Sequence, residues 1–176
     1  MRTPRALISI LTAGLLVVAA AVPASAGGEV GKATGHVKWT GQHGSGSERP
    51  GRTSIFRVRD GRPGTVSRKG DRGWYHFSER NVEYDQSLTM RVRCVRVEGN
   101  WAEFAGVITR ATGNFNKGNV FLVSVVDLDD PQRLGHNIGM KSWGKDLKGA
   151  CEDALDGSQF GRQGQVTGGW LNVTVR

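Results

Sequence analysis

Residues Leu88 to Ala111 read LTMRVRCVRVEGNWAEFAGVITRA, and this stretch decides the fold. Apolar and polar side chains alternate on both sides of Gly99-Asn100, a dipeptide typical of a tight hairpin turn. With that dipeptide as the turn, Arg96 faces Glu103 as a cross-strand pair of opposite charge. The stretch therefore predicts a long antiparallel hairpin with one apolar face.

The first strand of this hairpin changes phase part of the way along. Its two apolar sets are Leu88, Met90, Val92 and Cys94, followed by Val95 and Val97. One extra residue at Cys94-Val95, a β-bulge, restores the phase. With that bulge, Val92 faces Gly106 and Met90 faces Ile108.

The rest of the chain shows strand-like alternation and almost no helical periodicity. Besides the two strands of the hairpin, strands are predicted at 33–39, 53–59, 73–78, 120–126 and 170–176. The VFLVSVV run at 120–126 lacks polar alternation, which predicts a strand covered on both sides. The segment 132–166 reads as irregular, apart from a short helical turn near 148–155. About seven strands with Gly-rich turns predict an all-β fold, a small antiparallel barrel or sandwich.

The first 26 residues have the pattern of a secretory signal peptide. Arg2 and Arg5 precede an apolar run from Ala6 to Val22, and Ala24-Ser25-Ala26 is a small-residue cleavage site. An uncleaved membrane anchor is the alternative, because the apolar run is nearly long enough to span a bilayer. Cleavage is favoured by the small-residue ending. It leaves residues 27–176 as one domain with a net charge of +6, secreted and without a stable membrane anchor.

Two cysteines, Cys94 and Cys151, remain after this cleavage. In an oxidising compartment a disulfide between them is favoured over two free buried thiols. The bridge closes a loop of about 57 residues, which the chain-entropy model values at about 4 kcal/mol. The chain contains no Cys-x-x-Cys, so the sequence gives no support to a redox role.

The hairpin also carries a resemblance to other proteins. A Cys-containing strand that runs into V-x-G-N, followed by an alternating strand, is similar to the core of small secreted β proteins common in actinobacteria. The FLVSVVDLDDP segment at 121–131 and a second Cys before a C-terminal strand are similar as well. The resemblance covers 35–126 and the last strand. It implies a fold, not a chemistry.

Recognisable catalytic motifs are missing from the sequence. The four histidines, His36, His43, His76 and His136, have no metal-ligand spacing to each other or to a cysteine. There is no nucleophile elbow, phosphate loop or dinucleotide fingerprint. The pattern therefore favours a non-enzymatic binding module over its alternative, a small extracellular hydrolase with an unrecognised active site.

An acidic cluster follows the strand at 120–126. Asp127, Asp129 and Asp130 could supply oxygen ligands to calcium, the only cofactor that the sequence suggests. The cluster lacks the regular spacing and the bidentate Glu of a calcium loop. A strand-end turn whose carboxylates cap backbone amides is the favoured alternative.

Basic residues cluster more clearly than acidic ones. Between Arg49 and Arg96 the chain has twelve Lys or Arg and five Asp or Glu. The candidates for anion binding alternate along two strands and are Arg57, Arg59, Arg91 and Arg93. If these strands are neighbours, the arginines form a basic stripe near Trp74 and Tyr75, although an ordinary solvated sheet face explains the same alternation.

The charge pattern suggests several classes of partner. An anionic cell-wall polymer, a polysaccharide or a protein partner fits a basic face on a secreted domain. An OB-like nucleic-acid surface also pairs such charges with exposed aromatic side chains. The sequence pattern does not favour that class.

Overall fold

A computed structural model describes residues 30–42, 48–63, 68–80, 85–128, 137–156 and 164–176. Within these residues the chain forms eight strands and one helix. In chain order they are β1 (Gly31–Gln42), β2 (Glu48–Asp60), β3 (Arg72–Arg80), β4 (Asp85–Glu98), β5 (Trp101–Thr112), β6 (Val120–Val126), β7 (Asn137–Ser142), α1 (Leu147–Asp156) and β8 (Gly164–Val175). The predicted signal peptide at 1–26, together with His43, Asp129, Asp130 and His136, lies outside the described residues.

The strands form one antiparallel barrel. Each strand pairs with the next along the chain, and β8 pairs with β1 over most of its length to close the cylinder. The seam between β7 and β8 is short and consists of the pairs Asn137–Gln165 and Ile138–Gly164. The predicted all-β fold is thereby confirmed, as a barrel and not a sandwich.

The prediction of an irregular segment at 132–166 is wrong in part. β7 lies within it, and β8 begins at Gly164, six residues before the predicted last strand. β7 is only six residues long, NIGMKS, so it offers no clear alternation; pairing with β6 holds it in the sheet. The predicted helical turn near 148–155 is confirmed as α1.

The register of the central hairpin agrees with the prediction. Arg96 pairs with Glu103, and Val92 pairs with Gly106 on the far side of a bulge. The extra residue is Arg93, slightly earlier than predicted, and a second register shift that was not predicted lies between Thr89 and Met90. As a result Cys94 belongs to the outer apolar cluster beneath α1 and not to the barrel interior.

Large aromatic side chains fill the middle of the barrel. The rings of Phe56, Tyr75 and Phe104 contact each other with centroids 5.6 to 6.2 Å apart. The polar groups among them are satisfied internally. Trp39 Nε1 donates to Ser54 Oγ at 2.9 Å, and that hydroxyl is 2.8 Å from the Tyr75 hydroxyl. The interior is therefore a packed core, as the aromatic residues of the predicted strands suggest.

α1 covers the outside of β4, β5 and β6. The helix turns an apolar stripe towards the barrel, with Ala150, Cys151, Ala154 and Leu155 buried. Its first turn is capped by Asp146 Oδ1, which accepts a hydrogen bond from Gly149 N at 2.8 Å. The predicted disulfide between Cys94 and Cys151 is present and ties the helix to β4, with 5.7 Å between the Cα atoms. β6 is accordingly buried on both faces, as predicted.

Candidate anion-binding site

The outer face of β1 to β4 is strongly basic. Four stretches of these strands, 32–38, 53–59, 72–78 and 87–93, contain no Asp or Glu, and we call their outward side the basic wall. Its cations are Lys32, Lys38, Arg57, Arg59, Arg72, Arg91 and Arg93. Among the described side chains, none of these seven cations forms a salt bridge with a carboxylate. Within the described part of the chain, the wall is therefore a positively charged surface whose charges are not neutralised by carboxylates.

Three neighbouring strands enclose a groove in the basic wall. Its volume is 430 Å³. The side chains around it form two rows across the strands: an upper row of Thr34, Arg57 and Trp74, and a lower row of Lys32, Arg59 and Arg72. Residues two apart along a strand share a face, so the rows lie about 7 Å apart.

The lower row places three cations side by side. Lys32 pairs with Arg59 across β1 and β2, and Arg59 pairs with Arg72 across β2 and β3. Cβ atoms of directly opposed residues are about 5 Å apart, and like charges at such positions destabilise a sheet. This repulsion would be relieved by an anion bound over the row.

The upper row continues onto β4. Arg91 pairs with Trp74, so the indole lies between Arg57 and Arg91. Trp74 is 44% exposed although it is a large aromatic residue. Arg93 is exposed two residues further along β4. The wall therefore combines an open aromatic ring with cations on both sides of it.

The four predicted arginines lie on this wall in an arrangement that differs from the predicted one. The predicted stripe requires that β2 and β4 are neighbours, but β3 lies between them. β3 contributes Arg72 and Trp74 to the outer face, whereas Tyr75 is buried in the barrel. The structure thus brings the two pairs of arginines to one wall with Trp74 between them.

Two groove residues, Lys32 and Arg72, are not singled out by the sequence pattern. Each is a single charge at the beginning of a strand, outside the predicted strand boundaries. Extending the third predicted strand by one residue would have placed Arg72 on the same face as Trp74, because the period of a strand is two. The order of strands around the barrel is what brings Lys32 next to them.

The described aspartates near the lower end of the barrel bind backbone amides. Asp127 Oδ2 accepts a hydrogen bond from Val173 N at 3.0 Å. Asp60 and Asp71 accept from Val97 N and Val95 N in the same way. Burial raises the pKa of both Asp60 and Asp71. Within the described residues there is no group of three metal-ligating side chains, and Asp129 and Asp130 of the predicted calcium cluster lie outside them.

The helix-covered wall, the outer face of β4 to β6 beneath α1, holds a buried carboxylate. Glu103 has no exposed surface and pairs with Ser124 across β5 and β6. Burial raises the pKa of Glu103 to about 7; the nearby Ser124 hydroxyl lowers it, the charge of Asp153 raises it, and that of Arg96 lowers it. Arg96 itself pairs with Glu98 at 2.6 Å and donates to the carbonyl of Leu155 at the end of α1. The opposite-charge register predicted for Arg96 and Glu103 exists, but the salt bridge goes to Glu98.

Comparison with known proteins found no matching family model, no matching curated protein and no matching solved structure. Among the described residues, no helix is both long and apolar enough to cross a membrane. Function therefore has to be inferred from the chemistry of the two walls.

Proposed function

We propose that this protein is a secreted, non-enzymatic binding module whose basic wall holds an extracellular polyanion. The observation that carries the proposal is the row Lys32–Arg59–Arg72, in which like charges face each other on adjacent strands. Such a row opposes folding, and natural sequences break local rules of this kind mainly at functional sites. A bound anion supplies the missing counter-charge.

The arrangement of the cations supports a polymer in preference to a small ion. The basic wall extends across four strands, and its cations continue beyond the groove to Arg91 and Arg93 on β4. A polymer with repeated anionic groups contacts many of these cations at once. Each contact releases condensed counterions, so affinity accumulates along the wall and depends steeply on salt.

An extracellular location fits the same proposal. The signal-peptide pattern at 1–26 predicts export, and the Cys94–Cys151 disulfide is typical of proteins that function in an oxidising compartment. Anionic wall polymers and polysaccharides are accessible there. A free, exported domain with a basic face is suited to associate with them.

Glu103 is the residue that would most favour the alternative, a small hydrolase. A carboxyl group with a pKa of about 7 has the protonation behaviour of a general acid. However, its side chain is fully buried beneath α1, where substrate does not reach it. Its environment therefore supports a structural role, and we do not propose catalysis.

The test is the salt dependence of polyanion binding by the mature protein. Wild-type protein should bind immobilised heparin at about 50 mM salt and lose orders of magnitude of affinity by about 200 mM. Replacing Arg59 and Arg72 together with Gln should weaken binding to heparin and to polyphosphate alike. It should also reduce the log–log salt slope by about one to two.

A charge-matched control separates the wall from net charge. Lys145 precedes α1 and Lys148 lies in its first turn, 3.7 Å from Glu152; both are exposed and away from the basic wall. Their double replacement with Gln removes the same charge and should leave the salt slope unchanged. The proposal is wrong if wild-type protein is not retained at low salt, or if both double variants weaken binding equally.

A further inference from the structure

Trp74 differs from three of the other tryptophans in the way its ring is used. Trp39, Trp101 and Trp143 each have a cation over the ring, at 4.9, 5.4 and 4.4 Å from the centroid. Trp74 has an arginine on each side, yet among the described residues no cation covers its ring. The indole face is open to a ligand inside a groove that already carries four cations.

The two rows of the groove have different chemistry at a defined spacing. The upper row offers an aromatic plane flanked by Arg57 and Arg91, and the lower row offers adjacent cations about 7 Å away. A ligand that fits both rows has a flat ring joined to an anionic group over about that distance. A nucleotide unit has this form, since its sugar separates the base from the phosphate.

The flanking arginines extend the same fit to neighbouring units. A guanidinium plane can stack on a base just as an indole does. Arg57, Trp74 and Arg91 therefore form three consecutive stacking surfaces, each about 5 Å from the next across β2, β3 and β4. Arginine also outnumbers lysine on the basic wall by five to two, and its planar fork suits phosphate.

We infer that the basic wall binds single-stranded nucleic acid, with a base stacked on Trp74 and the neighbouring phosphates over Lys32, Arg59 and Arg72. This inference rests on the proposed function and adds the chemical class of the polyanion. A duplex keeps its bases stacked inside and cannot offer one to Trp74. An anionic polysaccharide neutralises the cations but has no aromatic ring to stack.

The decisive comparison uses two oligomers with the same backbone charge. One is a labelled oligothymidylate of about 12 nucleotides, a length within the range of comparable stacking sites. The other is an abasic phosphodiester of the same length. Wild-type mature protein should bind the oligothymidylate about tenfold more tightly, measured by fluorescence anisotropy, because a stacked base adds affinity beyond charge.

Variants at two exposed tryptophans locate the effect. Trp74→Ala should remove most of the difference between oligothymidylate and abasic affinity and leave abasic affinity unchanged, since only the arginine surfaces remain for stacking, whereas Trp74→Phe should retain more of the difference. Trp170→Ala is the matched control, since Trp170 is 54% exposed on β8, outside the groove and three strands from Trp74, where it pairs with His36 at the edge of the basic wall. It should bind like wild type. Circular dichroism and thermal melting of each variant verify the fold.

Four outcomes would overturn the inference, and they differ in what they imply for the proposed function. Equal affinity of wild type for the two oligomers rejects base stacking and leaves a general polyanion module. Equal effects of Trp74→Ala and Trp170→Ala reject the assignment of the stacked base to Trp74. Tight binding of heparin without binding of oligothymidylate assigns the wall to an anionic polysaccharide. No binding of any polyanion at low salt rejects both proposals.

Discussion

The two walls of this barrel use the outward positions of their strands in opposite ways. On the helix-covered wall these positions hold, apart from Glu103, small or apolar residues such as Ala105 and Leu122, and α1 buries them. On the basic wall seven of these positions hold long cations, and no other element of the described chain covers them. Both walls have the same pleated geometry. The chemistry of every second residue is what differs.

This difference shows that the side chains on an outer sheet face indicate what kind of contact that face makes. Outward apolar residues need a cover, and here the same chain supplies it as α1, fastened by the Cys94–Cys151 disulfide. A row of opposed cations needs counter-charge, and the described part of the chain supplies none. The first need is met by folding; the second is open to a ligand.

The largest expected effect comes from removing the disulfide that fastens α1 to the barrel. Replacing both Cys94 and Cys151 with Ala should lower the free energy of unfolding by about 4 kcal/mol, because the unfolded chain regains the entropy of a loop with a sequence separation of 57 residues. Denaturant titration of the variant against the oxidised wild type measures this loss. The reduced wild type should match the variant.

The same variant tests whether the walls are independent. The disulfide lies on the helix-covered side of β4, so the folded double variant should bind heparin as tightly as wild type. If the folded variant lost polyanion binding, the helix-covered wall and the basic wall would be coupled, and the claim that they are independent would be wrong.

A smaller effect is expected from replacing Glu103, the carboxylate buried beneath α1. Glu103 holds its proton up to about pH 7 when folded, against a reference pKa of 4.5. The folded state therefore binds more protons than the unfolded state between these values, and stability falls as pH rises through this window. Glu103→Gln removes that loss. The free energy of unfolding of Glu103→Gln minus that of wild type should therefore be about 1 to 3 kcal/mol larger at pH 8 than at pH 4.5.

The readout for Glu103 is the pH dependence of a difference. A buried amide can shift stability by a constant amount at all pH values, so urea titrations of Glu103→Gln and wild type are compared at several values between pH 4.5 and 8. Glu152→Gln removes a carboxylate from the exposed side of α1 and serves as the control. A difference for Glu103→Gln that stays flat across the range would contradict the assignment.

Much of the fold is predictable because local signals and tertiary contacts agree. The turn at Gly99-Asn100 sets the pairing of β4 with β5, and the phase change requires one bulge there. β7 is not predicted from the sequence because its six residues, which include a glycine, show no clear alternation with a period of two. Its place comes from pairing with β6, which only the tertiary structure provides.

The candidate site is harder to predict than the fold, because it depends on strand order. Alternation alone shows that Arg57 and Arg91 face outward, but not that β3 separates them and inserts Trp74. The opposition of Lys32 to Arg59 likewise depends on the pairing of β1 with β2. A sequence shows which residues share a face of one strand, whereas neighbours on different strands follow from topology.

The smallest expected effect is the most specific to the basic wall, and it has an unusual sign. Arg72→Gln removes one of two like-charge oppositions in the row Lys32–Arg59–Arg72, so it should stabilise the ligand-free protein by about 0.5 kcal/mol at low salt. The gain should fade as salt screens the repulsion, while heparin affinity falls. Arg80→Gln is the control, because Arg80 is exposed and lies 3.7 Å from Asp85, so it should bring no gain. Thermal melts at low and high salt distinguish the two variants. If Arg72→Gln destabilised the protein at low salt, the row would contain no repulsion for an anion to relieve. The reason to expect a ligand on the basic wall would then be lost.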